Sequence, residues 1–130
     1  MPLLLTEESL KQNDKLTVRG YIHRTAERFH INLGEDDENL ALHIDVRFDQ
    51  GSTVLNTKKD GQWNPVEIRG ENDFKQGSRF ELTIKHNVDE FEVSLPQGKT
   101  MTISNRLSMG TIKMISIGGD INITDFLLLD

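Results

Sequence analysis

His43, Asp45 and Arg47 stand at alternate positions of the run Leu40-Ala41-Leu42-His43-Ile44-Asp45-Val46-Arg47-Phe48. Alternate side chains of an extended strand share a face, so these three form one row: an imidazole, a carboxylate and a forked guanidinium. The imidazole donates and accepts, the carboxylate accepts, and the guanidinium reaches two oxygens at once. Asn56 adds an amide with both capacities, and Trp63, the only tryptophan, follows the turn Lys59-Asp60-Gly61. Such a set suits a sugar, whose hydroxyls both donate and accept and whose C–H-rich face lies flat on an aromatic ring. Taken alone, the charged row reads as a solvated ladder of cross-strand ion pairs, and a lone tryptophan as a packing residue. On these residues alone a binding face and that blander reading are both open.

The elements that carry these residues alternate in hydrophobicity with a period of two. Leu16, Val18 and Ile22 alternate with Thr17, Arg19 and Tyr21. Phe29, Ile31 and Leu33 alternate with His30 and Asn32. The even positions from Leu40 to Phe48 are apolar and belong in the core. Phe80, Leu82 and Ile84, then Phe91, Val93 and Leu95, repeat the pattern, and further strand-like stretches run over 100–104, 111–117 and 121–129. Turn signals such as Asp49-Gln50-Gly51, Asp60-Gly61 and Gly118-Gly119-Asp120 separate them. Many short strands at close spacing predict an all-β sandwich or barrel occupying residues 1–130 as one domain. Only residues 6–12 read as a turn of helix.

Composition narrows the function classes. The chain has 130 residues, a net charge of −6 and no cysteine. An acidic surface without a basic cluster is a poor partner for a polyanion, which excludes nucleic acid. The absence of thiols removes disulfides, thiolate metal sites and cysteine nucleophiles. No apolar run approaches the roughly 20 residues of a membrane span, so membrane insertion is not expected. The start lacks a basic region and a cleavage site, which predicts cytoplasmic synthesis without a signal peptide and, for work outside the cell, non-classical secretion. Glu35-Asp36-Asp37-Glu38 lacks the spaced ligands and fixed glycine of a calcium loop and reads as a solvated turn. His23, His30 and His86 are scattered, so no metal or other cofactor is called for. The sequon Asn122-Ile123-Thr124 is expected to be unused.

In order and spacing, these motifs resemble the galectin family. His43-Ile44-Asp45-Val46-Arg47-Phe48 is similar to the galectin motif H-F-N-P-R-F, and Asn56 and Trp63 match the Asn and Trp that follow it. Phe29-His30-Ile31-Asn32-Leu33-Gly34 resembles F-x-I-N-L-G, and residues 74–84 resemble F-x-x-G-x-x-F-x-L-x-I. Leu16 to Gly20, Asn105-Arg106-Leu107 and the closing strand also fit. The resemblance implies a two-sheet antiparallel β-sandwich of jelly-roll, concanavalin-like type with the sugar on a concave face. It implies metal-free binding of β-galactosides, with His43, Arg47 and Asn56 on galactose hydroxyls and Trp63 stacked beneath. It also implies a two-fold homodimer formed by the terminal strands, which would crosslink galactose-containing glycans.

Two departures bear on the site. Asp45 stands where the family has asparagine, turning a donor into an acceptor-only group. In place of W-x-x-E-x-R the chain reads Trp63-Asn64-Pro65-Val66-Glu67-Ile68-Arg69. Without a gap, Val66 and Ile68 occupy the Glu and Arg positions, and a slip of one residue turns a side chain to the other face. A bulge at Asn64-Pro65 would bring Glu67 and Arg69 back. Both arrangements are open at this point. The resemblance thus also admits redirected sugar specificity, or a galectin fold without sugar affinity serving as a protein-interaction module. A fatty-acid-binding barrel of similar length needs a helical lid where residues 23–38 show strand and acidic turn. A glycosidase would use Asp45 and Glu67 as its carboxylate pair, but the resemblance implies no hydrolysis.

Overall fold

The period-two alternation closes into twelve strands among the described residues. They are β1 (Leu4–Thr6), β2 (Lys15–Ile22), β3 (Arg28–Asp36), β4 (Asn39–Arg47), β5 (Ser52–Lys59), β6 (Gln62–Trp63), β7 (Ile68–Glu71), β8 (Arg79–Asn87), β9 (Glu90–Ser94), β10 (Thr100–Ser104), β11 (Met114–Gly119) and β12 (Ile121–Leu129). The structure, a computed structural model, describes residues 2–6 and 8–129. One antiparallel sheet runs β1-β11-β3-β4-β5-β6, with β7 also paired to β5, and the other runs β10-β9-β8-β2-β12. The expected two-sheet β-sandwich is what forms. No helix among the described residues is long and apolar enough to cross a membrane.

The apolar positions read from the sequence meet between the sheets. Leu16, Val18, Phe29, Ile31, Leu42, Ile44, Leu82, Ile84, Phe91 and Val93 are all fully buried, each contributing roughly 1.5–3 kcal/mol of burial free energy. Phe29 centres an aromatic cluster, with the rings of Phe74 and Phe80 both 5.3 Å away. This packing on one face of β3 and β4 fixes which residues the other face presents.

Two local expectations are corrected. No described residue over 6–12 is helical. Leu10 is fully buried, and its N–H and C=O are satisfied by Ile112 at 2.9 and 2.8 Å, because a buried backbone must be paired. Ile112 therefore makes a bridge outside β11, which begins only at Met114. Ala41, which strict alternation would put beside His43 on the polar face, is buried. The β3–β4 register passes from Leu33–Leu42 to Gly34–Leu40, so Ala41 is the extra residue of a bulge. From Leu42 onward the alternation holds.

The terminal strands are the outer strands of their sheets. Leu4, Phe126 and Leu128 pack on the core, whereas Leu5 is 61% and Leu129 54% exposed. One alternating set enters the core and the other lies on the edge.

Candidate functional site

Register builds the site. Across β4 and β5, His43 faces Asn56, Asp45 faces Val54 and Arg47 faces Ser52. On the other side β3 sets Asn32, His30 and Arg28 opposite the same three residues. The core-facing residues of these strands force all of them onto one polar face. Trp63 joins that face through a hairpin. Lys59 pairs with Gln62 around Asp60 and Gly61, whose φ values are +50° and +80°. A two-residue loop of this hand needs positive φ, which glycine adopts without strain. The loop is tied to the neighbouring turn, where the Gly61 N–H donates to Glu38 O at 2.9 Å and the Asp60 N–H to Asn39 Oδ1 at 3.1 Å. Trp63 thus lies 4.5 Å from His43, ring centre to ring centre, with the Lys58 ammonium 5.1 Å from the indole centre. It is 46% exposed, too open for a core residue.

Beyond Trp63 the strand breaks. The Lys58–Trp63 pair belongs to one register and the Leu55–Ile68 pair to another. Five residues along one chain therefore match three along the other, and two are extra. An offset of two preserves facing. Arg69 lies opposite Val54, and Glu67 lies on the cleft. Glu67 and Arg69 are joined to each other at 2.7 Å. Of the two arrangements the sequence left open, the irregular one occurs, while Val66 projects outward, 63% exposed.

His43, Asp45, Arg47, Asn56, Trp63 and Glu67 line one cleft of about 440 Å³, completed by Arg28, Val54 and Asn64. Arg69 is not in its wall. It supports Glu67 from behind and donates to Ser52 Oγ at 3.1 Å. A larger groove of about 640 Å³ lies elsewhere, between Leu5, Met114 and the Glu35-Asp36-Asp37 turn. It holds none of these residues and gathers no comparable set of donors and acceptors around an aromatic ring.

The polar atoms of the cleft are held in fixed roles. His43 Nδ1 donates to Asn32 Oδ1 at 2.5 Å, leaving Nε2 as an acceptor. Burial pushes the His43 imidazole down to about 4. Asp45 opposes the shift, and the positive charges of Arg47 and Lys58, with His30, add to it. Burial also lowers His30, against the pull of Asp45. Both rings are neutral at pH 7. Asp45 is buried and holds Arg47 Nε at 2.7 Å, with Arg28 at 3.9 Å. Arg47 Nη1 donates to Gln50 Oε1 at 3.2 Å. Asn56 Oδ1 accepts from the Thr57 N–H at 2.8 Å and from Arg106 at 3.3 Å, while Nδ2 donates to Asn64 O at 3.1 Å. Among the described residues nothing accepts the second Nδ2 hydrogen. The wet face of the sequence reading is thus partly closed: Asp45 and Asn56 are buried because neighbours take up their polar atoms.

Sequence reasoning missed Arg28, Asn32, Val54, Asn64 and Arg106. Alternation around Phe29, Ile31 and Leu33 already put Arg28 and Asn32 on the polar face, so that signal was available. Arg106 approaches from a distant loop, which no local pattern announces. His30, read as scattered, lies 6.3 Å from His43 in a stacked arrangement. Gly118 makes the room, since a Cβ there would meet the His30 ring at 2.8 Å.

Residues 3–128 match the family model described as galactoside-binding lectin. Mouse galectin-2 is 36% identical over 111 residues, 85% of each chain. The fold superposes on chicken galectin 2 with a TM-score of 0.94 at 28% identity, covering 98% of this chain and 99% of that one. A homodimeric agglutinin from chicken liver, CG-16, gives a TM-score of 0.89 at 30% identity, covering 96% and 98%. The match spans every strand that carries the cleft, and the chain belongs to the galectins, the family of galactoside-binding lectins.

Proposed function

We propose that the cleft is the sugar site and that it selects β-galactosides by the roles its atoms already hold. The observation that carries this reading is the convergence of an acceptor, His43 Nε2, with the donors of Arg47 and Asn56 beside the half-exposed ring of Trp63. A hydroxyl between His43 and Arg47 donates to one and accepts from the other, so both its capacities are used. Galactose offers an axial hydroxyl at C4 for this position and leaves the C–H face of the ring free for Trp63. Asn56 shares a further hydroxyl through its free Nδ2 hydrogen. Asp45 holds Arg47 in place, and Asp45, Glu67 and Arg69 tune which sugar is preferred. A lectin binds its sugar without transforming it, so neither carboxylate is assigned a catalytic role.

The finer assembly belongs to the same proposal. Exposed Leu5 and Leu129 lie on the edge strands β1 and β12, and an unprotected apolar edge invites pairing. The match to a homodimeric agglutinin supports a dimer, which we assign to a two-fold pairing of the terminal strands. Two sites on one particle would crosslink galactose-containing glycans by avidity. The cysteine-free chain tolerates reducing and oxidising compartments alike, which fits cytoplasmic synthesis followed by non-classical secretion. Calorimetric titration with lactose and with maltose, which lacks the axial hydroxyl, tests the reading. Saturable heat with lactose alone is expected. Equal binding of both sugars, or of neither, would overturn it.

A further inference from the structure

The broken strand after Trp63 has an organiser that the sugar-binding roles do not use. Among the described residues Asn64 makes three hydrogen bonds, one each with Thr57, Asn56 and Val66. Its N–H donates to Thr57 O at 2.9 Å, carrying the β5 pairing one residue past Trp63. Its C=O accepts from Asn56 Nδ2 at 3.1 Å, which decides which end of that amide stays free. Its side-chain Oδ1 accepts from the Val66 N–H at 2.8 Å, an Asx turn. Between Asn64 and Ile68, residues Pro65, Val66 and Glu67 then lie opposite Asn56 alone. Pro65 has no N–H to pair, so the ladder cannot bind the chain there and the Asx turn sets its course.

From these contacts we propose that Asn64 is a positioning residue for sugar binding. Its side chain forms the two-residue offset that returns Glu67 to the cleft and to Arg69, and its carbonyl fixes the Asn56 amide. The offset is how this chain keeps a glutamate at the sugar with one residue more between Trp63 and Glu67 than the galectin motif has. The inference rests on the proposed galactoside site, because affinity is one of its readouts.

The test uses lactose calorimetry on Asn64→Ala, Asn64→Asp, Glu67→Ala and the Asn64→Ala/Glu67→Ala double variant, with a crystal structure of Asn64→Ala alone. Asparagine and aspartate both close an Asx turn, whereas alanine does not. Asn64→Ala should weaken lactose about tenfold, the scale of one lost oriented hydrogen bond. Asn64→Asp should remain within about threefold of the parent, the tolerance for an added surface charge. In the Glu67→Ala background most of the Asn64→Ala loss should vanish, since the two act as a unit. The sugar-free crystal structure should show Glu67 parted from Arg69. Equal loss in the alanine and aspartate variants, full additivity in the double variant, or an intact Glu67–Arg69 pair would overturn the inference. If the parent chain fails to bind lactose, the proposed function fails, and the crystal structure still decides the positioning claim.

Discussion

His43 Nδ1 lies 2.5 Å from Asn32 Oδ1 on the neighbouring strand, and this single contact decides which ring nitrogen faces the cleft. The asparagine oxygen can only accept, so Nδ1 carries the hydrogen and Nε2 presents its lone pair. The neutral ring is reinforced by burial, which holds His43 near 4. An acceptor at that point is what a hydroxyl bound by Arg47 requires.

The first expected outcome concerns pH. Lactose affinity should stay level from neutral pH to about 5 and fall as pH approaches 4, where His43 gains its second proton. Stability follows the same sign. The unfolded imidazole, with its ordinary value of 6.5, binds a proton before the folded one does. Between those values the unfolded state holds more protons, and stability is lost as pH falls. His30 is lowered too and adds in the same direction. Lactose titrations and melting curves across pH 4–8 check this. Half-loss of affinity near 6.5 would contradict it.

Asp45→Asn should shift that acid limb lower still, because the Asp45 charge raises His43 against burial. The same change removes the negative charge between Arg47 and Arg28 and should cost about 1–3 kcal/mol of stability, the scale of a hydrogen bond to a charged group. Denaturant unfolding and the pH profile of binding read the two effects separately. An unchanged midpoint together with an unchanged acid limb would contradict both.

Trp63→Ala should abolish measurable lactose affinity while leaving the fold within about 1 kcal/mol of the parent, since a surface change away from the core costs little. The half-exposure of the indole supports the second part. Calorimetry and thermal unfolding check it, and retained affinity would remove the stacking role.

For assembly, Leu129→Asp should convert a dimer to a 14.8 kDa species in sedimentation at micromolar concentration. Agglutination should be lost while lactose affinity persists. A parent chain that sediments only as the monomer would refute the edge-strand dimer.

Much of this architecture was legible in the residues. Alternation at Leu42, Ile44 and Val46 was enough to place His43, Asp45 and Arg47 together, because the core decides the facing of every partner on the strand. Facing was not legible where the period breaks. Ala41 sits in a bulge that hydrophobicity cannot distinguish from regular strand, and the course of residues 64–67 depends on an Asx turn and a proline. Leu10 joins the core through a single bridge to Ile112, a long-range pairing with no local signature. Arg106 reaches Asn56 from 50 positions along the chain, and only the closed sandwich brings them together.

Binding of galactosides in the cleft between His43 and Trp63 is read by a lactose titration followed by tryptophan fluorescence. Trp63 is the only tryptophan, so any saturable spectral change reports from the cleft itself. Such a change is expected with lactose, and none with maltose. A flat response to lactose at millimolar concentration would contradict binding there.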